Sequence, residues 1–211
     1  YQKAINVSFI RIIRLLAFII SIFTPALYIA LTTHNQEALP LPFLLNFMAQ
    51  RESVPFSALT EALFMSISFE ILRESDIRKQ SSTGSAVSIL GGLILGDAAV
   101  SAGIISPIMI IVISISAISG LAFSSQEMIA SLRWLRFLMM FLAMFFGIFG
   151  IYIGFLFLLS SLVTTKALDY PYFAPFSPLV KEELGDAIIK LRSNKRLKRL
   201  QRKCSNKYRL N

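Results

Sequence analysis

The sequence predicts an all-α integral membrane protein with about four spanning helices, a glycine-rich broken or re-entrant segment and a basic cytoplasmic tail. Three observations predict it. Hydrophobic residues make up 55% of the chain and charged residues 16%, against about 25% charge in a soluble domain. Several apolar runs reach about 20 residues, the length that crosses a hydrocarbon layer of about 30 Å as a helix. The net charge of +9 is also segregated: residues 1–160 carry nine basic and eight acidic side chains, residues 161–211 carry twelve and four. An almost neutral apolar body, 1–163, therefore precedes a basic tail, 164–211. Disorder and a disulfide scaffold are excluded. One His and one Cys, His34 and Cys204, cannot build a zinc or iron–sulfur centre, so no metal and no cofactor is expected.

The first span is 12–31, IIRLLAFIISIFTPALYIAL, with Arg14 one turn inside and able to snorkel back toward Arg11. Pro25 would kink it, which bilayer helices tolerate, and Tyr28 is expected at the far interface, where aromatic rings are favoured. His34 follows and reads as a solvated loop residue. Segment 55–73 is apolar but carries Glu61 and Glu70. Nine residues at about 100° each put these carboxylates on opposite faces of a helix. Glu70 is placed to pair with Arg73. If the segment spans, Glu61 lies near the middle and needs partners or water.

Residues 80–126 hold one charge in 47 positions, Asp97. Gly91, Gly92, Gly96, Gly103 and Pro107 are expected to interrupt this stretch, giving a glycine-rich segment over 85–103 that crosses or re-enters, then a span at 104–123. Residues 137–163 are 27 uncharged residues and read as one long, tilted span, entered through Arg133, Trp134 and Arg136. In the tail, Pro171, Pro175 and Pro178 favour an extended loop, and 179–200 can form a helix. No basic, apolar and cleavable leader opens the chain, which is expected to be the C-terminal portion of something longer.

Lys and Arg counts orient the spans. With 55–73 spanning and 85–103 re-entrant, 18 basic residues lie inside and three outside; with 85–103 spanning instead, the split is 15 to six. If both cross, five crossings leave the tail outside and the split is eight to 13, which the positive-inside rule rejects. Both surviving arrangements place both ends in the cytoplasm.

Four stretches carry a resemblance to a known family: RLLAFIISIFTPALYIALTT (14–33), RESVPFSALTEALFMSISFEILRES (51–75), GSAVSILGGLILGDAAVSAGIISP (84–107) and YPYFAPFSPL (170–179). Together they resemble the membrane region of the A subunit of bacterial spore germinant receptors, the GerA family. The resemblance implies a receptor of the spore inner membrane. In it, an A subunit assembles with a transporter-like B subunit and a lipoprotein C subunit, and oligomerises into an ion channel opened by nutrient. Asp97 stands where the family's glycine-rich motif often carries Gln.

No catalytic set is present, and the protein is not expected to be an enzyme. Asp97, Glu61, Ser101 and Ser106 are the candidates for an ion path, since a carboxylate in a broken helix attracts cations; the competing reading makes Asp97 part of a shallow interfacial turn. Gly147, Gly150 and Gly154 give a small-residue stripe for close helix packing, with Ser116 and Gly120 as its possible partner. The partners implied are B and C receptor subunits, further copies of the chain and membrane lipids. A secondary transporter is a second reading, suggested by the broken helix with Asp97. A third is a membrane-anchored protein whose tail binds anionic lipid or nucleic acid; one aromatic, Tyr208, in 190–211 argues against nucleic acid.

Overall fold

The structure, a computed structural model, describes residues 4–78, 82–123, 126–167 and 170–171. Among them are six helices: α1 (Ala4–Thr33), α2 (Leu41–Arg51), α3 (Ala58–Arg78), α4 (Ser82–Ser101), α5 (Pro107–Gly120) and α6 (Gln126–Thr164). A 3-10 turn, Gln36–Ala38, joins α1 to α2, and two-residue strands β1 (Lys166–Ala167) and β2 (Tyr170–Pro171) pair antiparallel after α6. The all-α class holds. The expected tail loop beyond Pro171, the helix over 179–200 and the basic cluster lie outside the described residues.

The surface is apolar and part of the interior is ionic. Trp134, Phe145, Phe149, Phe157, Ile118 and Leu121 are exposed, while Glu61, Ser106, Ser116, Ser21 and Arg136 are buried. Phenylalanines and isoleucines covering the outside, with charges paired inside, suit a hydrocarbon solvent. Among the described residues, the helical stretches Asn6–Thr33 and Glu127–Thr164 are long and apolar enough to cross a bilayer.

α1 is the central post, packed against α5 and α6. Its Pro25 has no N–H to give to the carbonyl of Ser21 one turn back. The hydroxyl of Ser116 on α5 supplies the missing donor, bonding Ser21 O at 2.6 Å. Gly120, one turn further along α5, is small enough to bring the helix against the Ser21 hydroxyl; a Cβ there would sit 3.4 Å from it. Ser116 and Gly120 thus pack on α1 at its proline.

Three expectations are corrected. Segment 85–103 falls largely within an unbroken helix, α4, of 20 residues, beside the 21-residue α3 that holds most of 55–73; each is about 30 Å long. Gly91, Gly92 and Gly96 do not interrupt α4. They let it lie close to its neighbours: Gly91 and Gly92 face Leu72 and Phe69 of α3, and Gly96 faces Ile110 of α5. The break comes later, at Gly103, whose φ of +64° turns the chain into α5. Pro107 then opens α5 in its first turn, where a missing N–H costs nothing. At 14 residues, about 21 Å, α5 is shorter than the expected 104–123 span.

The third correction concerns 137–163. α6 is not one helix: Gly147 sits at φ +60°, ψ −141° and divides it into arms 126–146 and 148–164. The second arm folds back on the first. A Cβ at Gly154 would meet Met139 Sδ at 2.5 Å, and one at Gly150 would collide with the carbonyl of Leu142. In a straight helix residues 139 and 154 would be about 22 Å apart. Phe155 of the second arm packs edge-on against Phe23 of α1, with ring centroids 5.8 Å apart. A glycine inside an uncharged run hides such a turn, because helix-packing glycines look the same.

Candidate functional site

The turns gather at one end of the bundle. The Gly147 break leaves orphan backbone groups on both arms, and the end of α1 satisfies them. His34 Nε2 donates to Met144 O at 2.6 Å, and Asn35 Oδ1 accepts from Ile148 N–H at 3.0 Å. His34 is an exposed turn residue, as expected, and it also clasps the α6 hairpin. Tyr28 is buried within the chain, and its ring packs edge-on against Phe47 of α2.

Beside the clasp is a buried polar site. Glu61, in the first turn of α3, is 1% exposed. Its Oε2 accepts two hydrogen bonds of 2.9 Å, from the backbone N–H and the hydroxyl of Ser106. Ser106 is the N-cap of α5 and makes no capping bond within its own helix; Glu61 serves that end instead, where a negative charge also suits the helix dipole. Arg51, from the last turn of α2, pairs with Glu61 Oε1 at 3.2 Å. Tyr28 brings its hydroxyl into electrostatic reach of both. Arg51 also lines a cleft of about 580 Å³ together with Thr32, Gln36, Phe47 and Glu52, so the ion pair can be approached from this end. A carboxylate held this way is a fastener: it locks α2, α3 and the α4–α5 turn to one another.

The four ion-path candidates fall in two places. Glu61 and Ser106 meet inside the chain. Asp97 and Ser101 do not join them; both are exposed, on the outer face of α4 that also shows Ile94 and Ala98. The spacing 94, 97, 98 and 101 is one helical stripe. It puts a carboxylate and a hydroxyl on a surface that is otherwise mostly apolar, and among the described residues no neighbouring helix covers them. Gly147, Gly150 and Gly154 lie at the turn and along the contact between the two arms of α6, while Ser116 and Gly120 face α1.

A second ionic group lies at the opposite end. Arg133 Nε stands 2.9 Å from Glu70 Oε2, and Arg136 Nη1 stands 3.9 Å from Glu70 Oε1. Arg136 Nη2 reaches the Ser21 hydroxyl at 3.5 Å. Sequence reasoning paired Glu70 with Arg73 alone; the α6 arginines, more than 60 residues away in sequence, give no local signal. No group of side chains suited to a metal occurs among the described residues.

Comparison with known proteins gives a consistent result. The family model described as Bacillus/Clostridium GerA spore germination protein matches residues 1–202. The chain is similar to spore germination protein KA of Bacillus subtilis (strain 168), 41% identical over 191 residues, which are 90% of this chain and 35% of that protein. It is also similar to the uncharacterized membrane protein YfkQ of the same organism, 37% identical over 90% of this chain and 37% of the relative. Spore germination protein GerQA of Bacillus cereus is 36% identical over 87% of this chain and 37% of its own length. The chain thus spans little more than a third of these relatives. No solved structure matches it.

Proposed function

The chain belongs to the GerA family of spore germination proteins, and from that premise we propose that it is the membrane part of a nutrient germinant receptor subunit that oligomerises to form a gated ion path. The observation that carries this reading is the outer stripe of α4. An ionised carboxylate facing lipid is costly, by about 3 kcal/mol or more at the bilayer centre. Asp97 escapes that cost if copies of the chain arrange their α4 stripes around shared water. Asp97 and Ser101 then line a polar channel as rings, and a ring of carboxylates favours cations. The Glu61–Ser106–Arg51 fastener holds the α4–α5 turn that follows this stripe, so loosening it moves the channel wall. B and C subunits, the spore inner membrane and the nutrient trigger follow from the receptor reading.

The α6 hairpin supports a definite topology. With α1, α3, α4, α5 and both arms of α6 each traversing the layer, the chain crosses six times. Arg11, Arg14, Arg73, Arg133 and Arg136 then lie toward one side and Arg51 toward the other, the asymmetry expected of a cytoplasmic face. The turn at Gly147 restores the even number that five crossings lacked.

The test is potassium release from spores given rich nutrient medium, at equal protein abundance. Asp97→Asn is expected to change the release rate and Asp97→Lys to suppress it. Unchanged release in both variants removes Asp97 from the path.

A further inference from the structure

Among the described residues, the arginine end gathers more positive than negative charge. Arg73 and Arg136 converge on Gly120, their guanidinium nitrogens 3.9 and 3.8 Å from the position its Cβ would take. The charges acting on Arg136 are Glu70, Arg73 and Arg133; those acting on Arg73 are Glu70 and Arg133. Among the described residues, Glu70 is thus the carboxylate that acts on these guanidinium groups. The Arg136 side chain is 4% exposed. Its contacts to Glu70 and Ser21 are long, and its Nε is buried without a hydrogen-bond partner. A buried guanidinium with five donors and such loose partners is under-compensated. Arg133, by contrast, is 31% exposed, so the cluster opens to the surface there. Trp134 beside it in sequence is 75% exposed, placed as an interfacial aromatic anchor.

We propose that Arg73, Arg133 and Arg136 form a binding site for the phosphate group of an anionic phospholipid from the cytoplasmic leaflet. The phosphate oxygens complete the charge balance that Glu70 leaves open, meeting Arg133 at the surface with Arg136 behind it. The acyl chains lie along the exposed apolar side chains of Ile118, Leu121 and Trp134. Basic pockets between membrane helices on this face are a known way of holding such headgroups. The site is separate from the tail, whose basic residues follow 190. The inference rests on the chain being embedded in a bilayer; it does not depend on the ion path.

The experiment uses the full chain in vesicles of phosphatidylcholine with one fifth phosphatidylglycerol, mild detergent extraction, and native mass spectrometry of the lipid retained. The chain is expected to keep phosphatidylglycerol in preference to phosphatidylcholine. Arg133→Gln lowers that retention about fivefold, the effect of one basic residue near a charged surface; Arg133→Lys preserves it, and neutralising Arg196 and Lys198 leaves it unchanged. Millimolar inorganic phosphate does not displace the lipid. Equal retention of both lipids, or no loss in Arg133→Gln, overturns the site, and displacement by phosphate assigns it to a free anion instead. A chain stripped from the vesicles by carbonate refutes the embedding itself. An embedded chain without lipid preference refutes this inference alone.

Discussion

Glu61 shows how a single side chain can tie three elements together. Its two bonds to Ser106 replace the N-cap that α5 otherwise lacks, and its second oxygen holds Arg51. Glu61→Ala strands the Ser106 donors in a buried site and frees a guanidinium, at a cost of about 3 kcal/mol or more. Glu61→Gln keeps an acceptor for Ser106 and leaves Arg51 able to turn toward the cleft, so it should cost less than half as much. Thermal unfolding in detergent measures both, and a cycle with Ser106→Ala should show a coupling of about 1–3 kcal/mol. Equal losses for Ala and Gln would mean that the Ser106 bonds contribute little. That Glu61 needed a partner was legible in the sequence, because a carboxylate in an apolar segment must find one. Which partner was not: Ser106 lies 45 positions away, and nothing in local periodicity connects them.

At the scale of elements, the proline and glycine positions decide where helices meet. The apolar runs at 12–31 and 137–163 located α1 and α6, whereas the span expected to open at 104 begins at Pro107. The glycines were harder to interpret. Gly91, Gly92 and Gly96 suggested a broken helix but serve as contact surfaces, whereas Gly147 suggested a contact surface but forms the break. Both uses remove a Cβ, and the sequence pattern is the same for each. The one available signal was length, since 27 uncharged residues exceed a crossing. Gly147→Ala tests the hairpin. A side chain there must adopt φ +60° and meet Asn35 Oδ1 at 2.5 Å, so it should cost about 1–3 kcal/mol in backbone strain alone. Ala substitution at Gly92, where the nearest side-chain atom is 3.7 Å away, should be tolerated. Loss of the folded form in Gly92→Ala but not Gly147→Ala would contradict this division of roles.

For the whole molecule, the fold class came from composition and charge segregation, while the proposed number of crossings depends on one turn that neither reports. Four crossings place residue 127 on the outer side, and six place it with the N-terminal arginines. A cysteine at Glu127 in a Cys204→Ser background should therefore react with an impermeant maleimide only in lysed cells, while one at Gln36 should react in intact cells. Labelling of residue 127 from outside would return the count to four. The placement of Asp97 was legible as chemistry, a lone charge in 47 residues, but its outward direction needed the packing of α3 and α5 on the other sides of α4. The central claim is that this outward face of α4 lines the ion path. Its most direct test is a charged methanethiosulfonate reagent applied to spore-derived vesicles carrying the receptor, with Ser101→Cys or Phe145→Cys in the Cys204→Ser chain. The account predicts that modification at residue 101 blocks potassium flux on addition of nutrient medium, while modification at residue 145, an exposed α6 side chain, does not. Undiminished flux after full modification of residue 101, or an equal block at both positions, would contradict it.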